Sequence, residues 1–307
     1  MKITYLGTPD AAVPPLRALV EAGHQVALVV SRPDAKRGRG GALVPSPVKA
    51  AALELGLPVT DRVDDVLDGA VDLGVVVAYG RIIKPHVLDR LAMVNLHFSL
   101  LPRWRGAAPV ERAVLAGDAE TGVCLMAVEE GLDTGGVYAR EAVAIEPDES
   151  VDTLRTRLVE IGCRLLVDGL AAGLGHAVPQ EGEVTNAAKI DPAELHLDWS
   201  EPAVHCRRRI QLGRAWTTFQ GRRLLVLAAG PGAGGPGAGE PGAGGLGAGG
   251  LGAGDGHGAP GTVDELEVMC GDGGRVRLRT VQPEGKGPMA AASWANGARP
   301  SGQVLGR

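Results

Sequence analysis

An asparagine and a histidine stand two residues apart in the apolar segment Met-Val-Asn-Leu-His-Phe. Side chains alternate between the two faces of a β-strand, so Asn95 and His97 are expected on the same face. Open α/β sheets bind their ligands beyond the carboxyl ends of the strands, where this segment would end. An amide N–H beside an imidazole in such a cleft can stabilise a developing oxyanion. The pair therefore predicts acyl-group chemistry that needs no metal.

Two further segments decide how this pair is interpreted. A single histidine in an apolar run is more often a core residue than a catalytic one, and an asparagine beside a loop usually forms a turn. The pair is followed by the loop Ser-Leu-Leu-Pro-Arg-Trp-Arg-Gly at residues 99–106, and then by a glycine-rich turn at residues 130–136 that carries Asp133. An aspartate in such a turn often only shapes it, so the three segments become informative as a set.

The elements that must position these residues alternate between strand and helix patterns. Helices are predicted at 14–22, 47–55, 107–116 and 150–172, and strands at 2–6, 26–31, 58–60, 73–79, 93–98, 122–128 and 137–145. This order predicts a Rossmann-like, doubly wound, mostly parallel sheet. Ser46 and Pro47 predict the N-cap and first turn of the second helix. The first turn, Gly-Thr-Pro-Asp, lacks the G-x-G-x-x-G pattern, which disfavours a dinucleotide-binding dehydrogenase.

The sequence changes character after about residue 190. We expect a catalytic domain at 1–190, a linker at 191–204 and a small β-barrel-like (OB-like) domain at 205–307. Strands are predicted there at 216–219, 223–227, 261–268 and 275–280. An insert at 230–261 holds 17 glycines in 32 residues with a five-residue repeat. Collagen repeats every three residues, so we expect a flexible loop instead.

Composition bounds the class of protein. The formal net charge of −5 argues against a globally basic nucleic-acid binder, although local basic patches remain possible. The four cysteines lie far apart, without metal-ligand spacing, which is typical of a reducing cytoplasm. We expect neither a signal peptide nor a membrane span, because the apolar runs are too short. We therefore expect a cytoplasmic protein without a bound metal. We also expect it to be a monomer, although composition does not determine the oligomeric state.

The pattern N-x-H-x-S-L-L-P, followed roughly 35 residues later by G-x-D-T-G, resembles the folate-dependent formyltransferase superfamily. Within it, the segments at 7–10, 32–49, 77–80 and 99–109 resemble methionyl-tRNA formyltransferases, and the resemblance extends from residue 1 to about 200. It implies transfer of the formyl group of 10-formyltetrahydrofolate to the α-amino group of methionyl initiator tRNA, for translation initiation. Folate and this tRNA are the implied partners.

The resemblance also implies roles for individual residues. Asn95 would donate to the oxyanion, His97 would supply a second donor or a proton, and Asp133 would orient His97 and help to move the proton. The implied folate-binding residues are Ser99, Leu100, Leu101 and Pro102, with Tyr79 and Gly80 flanking the pterin.

Two basic segments are candidates for binding tRNA. The segment at 31–49 matches a loop that enters the tRNA acceptor end in the family, and its candidates are Lys36, Arg37 and Arg39. The stretch at 205–223 contains six arginines and no acid, and its candidates are Arg207 and Arg208. Basic stretches are commonly solvated surface, so charge alone does not establish this role.

Two alternative functions stay open on the sequence. A formyltransferase acting on a small amine, such as an amino sugar or glycinamide ribonucleotide, would use the same three catalytic residues. An RNA-binding relative that had lost catalysis would retain the fold but would have no need of that trio.

Overall fold

The structure is a computed structural model that describes residues 1–36, 41–232 and 258–307. Arg37, Arg39 and most of the glycine-rich insert lie outside the described residues. The chain forms two compact units, each described separately below. The first comprises Met1–Ala113, Asp118–Ile145 and Thr153–Lys189, and the second comprises Val114–Gly117, Glu146–Asp152 and Ile190–Arg307.

Strands and helices alternate through the first part of the chain. The strands are β1 (Lys2–Gly7), β2 (Gln25–Val30), β3 (Ala35–Lys36), β4 (Leu43–Val44), β5 (Val59–Thr60), β6 (Leu73–Val77), β7 (Met93–His97), β8 (Arg105–Gly106), β9 (Glu120–Ala127), β10 (Val137–Ala144) and β11 (Asn186–Ala187). The helices are α1 (Val13–Glu21), α2 (Pro47–Glu54), α3 (Pro85–Leu88), α4 (Pro109–Ala116) and α5 (Val151–Ala171), with short 3₁₀ turns at Asp10–Ala12 and Val63–Leu67.

A seven-stranded sheet organises the first unit. Its strand order is β10-β9-β7-β6-β1-β2-β5. The five strands from β7 to β5 pair in parallel, whereas β9 is antiparallel to both β7 and β10. The central strand β6, Leu-Gly-Val-Val-Val, is buried at every position, as a parallel strand covered on both faces requires. The predicted doubly wound, mostly parallel sheet is confirmed.

Helix α2 begins as its sequence predicts. The Ser46 hydroxyl accepts a hydrogen bond from the Lys49 backbone N–H at 3.1 Å, and Pro47 occupies the first helical position. This arrangement satisfies one of the backbone donors that a helix leaves free at its start. The predicted N-cap is therefore confirmed.

The second unit is built on an antiparallel sheet. Its elements are α6 (Ala203–Gln211), β12 (Ala215–Phe219), β13 (Arg222–Pro231), β14 (Val263–Asp264), β15 (Glu267–Met269), β16 (Arg275–Pro283), β17 (Met289–Ala290) and α7 (Ala291–Ala298). The strand order is β12-β13-β16-β15-β14, and β17 pairs with β16. The expected small β-rich unit is confirmed.

The segment expected as a linker contributes to the core of this second unit. Pro192–Leu195 form a 3₁₀ turn that Asp191 and Glu194 close with a reciprocal capping box. Leu197 and Trp199 are buried in the hydrophobic core of the unit. The polar residues and the proline of this segment predicted a linker. Its alternate apolar side chains, Leu195, Leu197 and Trp199, are instead buried.

The strand predicted at 261–268 is wrong. The structure forms a tight hairpin, in which Val263 of β14 pairs with Val268 of β15 and Asp264 pairs with Glu267. Glu265 turns the chain with a left-handed φ of 52°. Non-glycine residues seldom adopt this conformation, so the sequence carries no conventional turn signal here.

Helices in the described ranges do not combine the length and apolar character that crossing a bilayer requires.

Candidate active site

Strand β7 carries the asparagine and the histidine inside the large sheet. Asn95 lies opposite Val76 of β6 and Met126 of β9, and His97 lies opposite Cys124. His97 is buried, whereas Asn95 is half-buried. Within the described part of the chain the Asn95 amide makes no hydrogen bond. Its N–H groups therefore remain available to a ligand.

Asp133 approaches His97 from the glycine-rich turn between β9 and β10. Asp133 Oδ2 lies 3.6 Å from His97 Nδ1. The same oxygen accepts a hydrogen bond from the Gly106 backbone N–H at 2.9 Å. The structure thus brings His97 and Asp133 together, two strand positions away from Asn95.

The side chain of Gln180 forms hydrogen bonds with the backbone of the turn that carries Asp133. Its side-chain amide donates to the carbonyl oxygens of Asp133 and Gly135, each at 2.8 Å. Its own oxygen accepts two N–H groups of Arg105, at 2.7 and 3.0 Å. Asp133 has a left-handed φ of 52°, so this support offsets an unfavourable backbone conformation. Sequence reasoning missed Gln180, because no motif includes it.

Gly106 is required at the point where the 99–106 loop meets β11. It pairs with Ala187 and has a φ of 123°. A Cβ at this position would lie 2.8 Å from the Ala187 carbonyl oxygen. Only glycine allows this close approach, which also aims the Gly106 N–H at Asp133.

The second ring nitrogen of His97 contacts the same loop. His97 Nε2 lies 2.8 Å from the Trp104 carbonyl oxygen. The Trp104 backbone N–H donates to Thr185 Oγ1 at 2.8 Å, and its indole N–H donates to Asp118 at 2.7 Å. His97 therefore has a hydrogen-bond partner at Nε2, and its Nδ1 lies near the Asp133 carboxylate.

The candidate folate-binding residues differ in how accessible their side chains are. Ser99, Leu101 and Pro102 are buried, and Leu101 packs in a cluster with Cys124 and Met126. The Ser99 hydroxyl donates to the Arg103 carbonyl oxygen at 2.6 Å. In this loop, the half-buried Leu100 side chain is more accessible than its neighbours.

The turn after β6 is open on one side. Tyr79 is buried, which raises the pKa of its hydroxyl, and its carbonyl accepts a hydrogen bond from the Thr8 hydroxyl at 3.0 Å. Gly80 is exposed, with a φ of 75° and no heavy atom within 4 Å of the position that a Cβ would take. A flat ligand has room against this turn.

Some of the candidate tRNA-binding residues already have partners within the protein. Lys36 is exposed on β3. Arg207 forms an ion pair with Asp148, and Arg208 donates to the Ala116 carbonyl at 3.4 Å.

Three other arginines of the 205–223 stretch are more accessible. Arg214, Arg222 and Arg223 are exposed and form no ion pair with any described residue. Arg223 stacks over the Trp216 ring at 4.5 Å. The acid-free sequence signal included these three, but it did not distinguish them from their paired neighbours.

Metal-ligating side chains are not grouped in threes or more anywhere in the described ranges.

Comparison with known proteins places both units in one family. Residues 1–170 match the formyl transferase family, and residues 189–299 match the formyl transferase C-terminal domain. A methionyl-tRNA formyltransferase of Roseobacter denitrificans is 44% identical over 97% of this chain and 96% of its own length. The corresponding protein of Jannaschia sp. is 43% identical over 97% of each chain.

Solved structures share the fold at low sequence identity. An N-formyltransferase from Helicobacter canadensis, in complex with folinic acid and dTDP-3-aminofucose, aligns with a TM-score of 0.65 and 14% identity over 92% of this chain and 99% of its own. HypX from Aquifex aeolicus aligns with a TM-score of 0.61 and 17% identity over 96% of this chain and 48% of its own.

Proposed function

Because the chain belongs to the methionyl-tRNA formyltransferase family, we propose that it transfers the formyl group of 10-formyltetrahydrofolate to the α-amino group of methionyl initiator tRNA. The observation that carries this proposal is the 44% identity to a methionyl-tRNA formyltransferase over 97% of the chain. That similarity spans both units of the chain.

Asn95 is the proposed oxyanion donor. The attacking amine must be neutral. A free α-amino group has a pKa of about 7.7–8.0, and the neighbouring ester of an aminoacyl-tRNA lowers it further, so a substantial neutral fraction exists near pH 7. Its attack on the formyl carbon places negative charge on the formyl oxygen. The unengaged amide N–H of Asn95, half-exposed on β7, is suited to stabilise that charge in the transition state.

His97 and Asp133 form the proposed proton-transfer pair. The amine loses one proton as its bond to the formyl carbon forms, and the folate nitrogen gains one as its bond to that carbon breaks. His97 Nδ1 and Asp133 Oδ2, 3.6 Å apart, lie two strand positions from the proposed oxyanion donor. Once the ring has taken up the proton at Nδ1, Asp133 orients the imidazolium and balances its transient positive charge.

The proposed folate site lies between the 99–102 loop and the turn at Tyr79 and Gly80. Leu100 offers an accessible apolar side chain, while Ser99, Leu101 and Pro102 give the loop its shape. The open backbone at Gly80 gives a planar pterin room to approach.

The proposed tRNA contacts come from basic residues of both units. Lys36, Arg37 and Arg39 are assigned to the acceptor end, and Arg207 and Arg208 to the second unit, where tRNA would compete with the Asp148 carboxylate for Arg207. We place the enzyme in the cytoplasm, where initiator tRNA is used, and expect it to act as a monomer.

Formyl transfer from 10-formyltetrahydrofolate tests this function directly. Charged initiator methionyl-tRNA is the substrate, and charged elongator methionyl-tRNA and free methionine are the controls. Turnover on the initiator alone is expected. Transfer to an amino sugar or to glycinamide ribonucleotide, with none to tRNA, would replace the proposal by the small-amine alternative. Binding of tRNA without any formyl transfer would indicate an inactive RNA-binding relative.

A further inference from the structure

We propose that Trp104 is a positioning residue, whose carbonyl oxygen fixes the proton of His97 on Nε2 and leaves Nδ1 as the ring nitrogen that exchanges protons with the substrate. Asp118 and Thr185 hold that carbonyl in place. The inference deepens the proposed function and rests on it for its catalytic meaning, although the protonation pattern of His97 can be tested without it.

The contact between His97 and the Trp104 carbonyl determines which ring nitrogen carries the proton. A carbonyl oxygen can only accept a hydrogen bond. His97 Nε2 lies 2.8 Å from the Trp104 carbonyl, so Nε2 must carry the proton for this contact to be a hydrogen bond. A neutral imidazole has a single N–H, so Nδ1 bears a lone pair whenever the ring is neutral.

That lone pair lies on the side of Asp133. Nδ1 is 3.6 Å from Asp133 Oδ2, and this oxygen is held by the Gly106 N–H. A proton taken from the attacking amine can enter only at Nδ1, giving an imidazolium whose second N–H faces the carboxylate. The same proton then passes to the folate nitrogen as the carbon–nitrogen bond breaks. No net proton remains on the protein.

The conformation of Trp104 indicates that its carbonyl is held against a local preference. Its φ is 66°, in the left-handed region that residues other than glycine seldom adopt. Its backbone N–H donates to Thr185 Oγ1, and its indole N–H donates to Asp118 Oδ2. These two bonds link Trp104 to segments 81 and 14 residues away in the sequence.

Asp118 is itself fixed by Arg103. Two guanidinium N–H groups reach its carboxylate at 2.5 and 2.7 Å, which raises the pKa of Arg103. The guanidinium also lies 4.6 Å from the centre of the Trp104 ring. Arginine, aspartate and tryptophan thus form one hydrogen-bonded cluster next to the carbonyl that contacts His97.

Thr185→Val and Thr185→Ser form a matched pair for the test. Valine keeps the shape of threonine but removes the acceptor for the Trp104 N–H, whereas serine keeps the acceptor. Trp104→Phe removes the indole N–H. Trp199→Phe is the control, because it removes a buried indole hydrogen bond to Thr217 in the second unit.

The readout is the ¹⁵N NMR spectrum of the full-length chain, labelled on histidine, with His97→Gln used to assign the His97 signals. At a pH where the ring is neutral, the wild type is expected to show a protonated Nε2 and an unprotonated Nδ1. Trp104→Phe and Thr185→Val should add the opposite tautomer and lower kcat by up to about 10²-fold, with a smaller change in KM. Thr185→Ser and Trp199→Phe should retain the wild-type spectrum.

Two results would overturn the proposal. One is a wild-type His97 that carries its proton on Nδ1, and the other is an unchanged tautomer in both Trp104→Phe and Thr185→Val. If the tautomer shifts as expected but the wild type transfers no formyl group, the positioning role stands and the proposed function fails.

Discussion

At the scale of single residues, Asn95 is the group whose loss should affect the chemical step most selectively. Replacing it with alanine removes the proposed oxyanion donor and leaves the backbone of the sheet unchanged. One preorganised donor of this kind contributes about 10²–10³ in rate. We therefore expect Asn95→Ala to lower kcat for formyl transfer by that factor with little change in KM, as measured under steady-state conditions.

The matched control for Asn95 is Asn296→Ala, at an exposed position on α7. It should leave kcat unchanged. Near-wild-type turnover by a folded Asn95→Ala protein would contradict the assigned role.

Cys163 gives a second prediction at this scale, because it is the one cysteine that is not fully buried. Burial, with the nearby carboxylates of Glu160 and Glu21, raises the pKa of its thiol to about 11. The thiolate is the reactive form, so alkylation by iodoacetamide should be slow at pH 7.5 and should rise about tenfold per pH unit toward that value. Mass spectrometry of the labelled chain measures the rate.

Cys163→Ser provides the control for this labelling, because the slow, pH-dependent alkylation assigned to Cys163 should be absent from this variant. Fast labelling of Cys163 at pH 7.5 would show that its surroundings do not raise the thiol pKa as expected.

At the scale of elements, structural features that depend only on neighbouring residues can be predicted from the sequence. The Ser46–Pro47 start of α2 needs only one hydroxyl and the next three residues, so it is readable from the chain. By contrast, Gln180 donates a hydrogen bond to the Asp133 carbonyl oxygen across 47 residues of sequence, and neither residue type predicts that the other will be its partner. The left-handed turn at Glu265 was missed because its residue type is typical of neither a turn nor that conformation.

The pairing of β8 with β11 allows a test of how far the position of Asp133, the proposed catalytic carboxylate, depends on a contact between distant parts of the chain. Gly106→Ala would place a Cβ 2.8 Å from the Ala187 carbonyl at a φ of 123°. We expect a loss of roughly 1–3 kcal/mol in the stability of the first unit. Formyl transfer should also fall, because the N–H that positions Asp133 moves. Thermal unfolding and kcat measure the two effects.

Gly173→Ala separates backbone strain from the contact. Gly173 follows α5 with a φ of 81°, but no heavy atom lies within 4 Å of its Cβ position. This variant should lose about 1–2 kcal/mol of stability from backbone strain alone and should keep its kcat. Equal losses of activity in the two variants would contradict a specific role for the Gly106 contact.

At the scale of the whole molecule, an acidic chain must bind a polyanion. A net charge of −5 repels tRNA on average, so binding has to come from local clusters of cations. Arg222 and Arg223 stand exposed at the start of β13, whereas Arg207 is already paired with Asp148. Unpaired cations release bound counterions from phosphate without first breaking an internal ion pair, so they should contribute more to affinity.

This difference predicts how salt should act on tRNA binding. The Kd for initiator tRNA should rise steeply with salt, and Arg222→Gln should weaken binding at low salt and reduce the slope of log Kd against log salt by about 1. Arg90→Gln, an exposed arginine of the first unit, removes the same charge and serves as the control. Fluorescence anisotropy with labelled tRNA measures both slopes. Equal effects of the two variants would mean that net charge acts alone, whereas a change confined to Arg222→Gln would place a phosphate at β13.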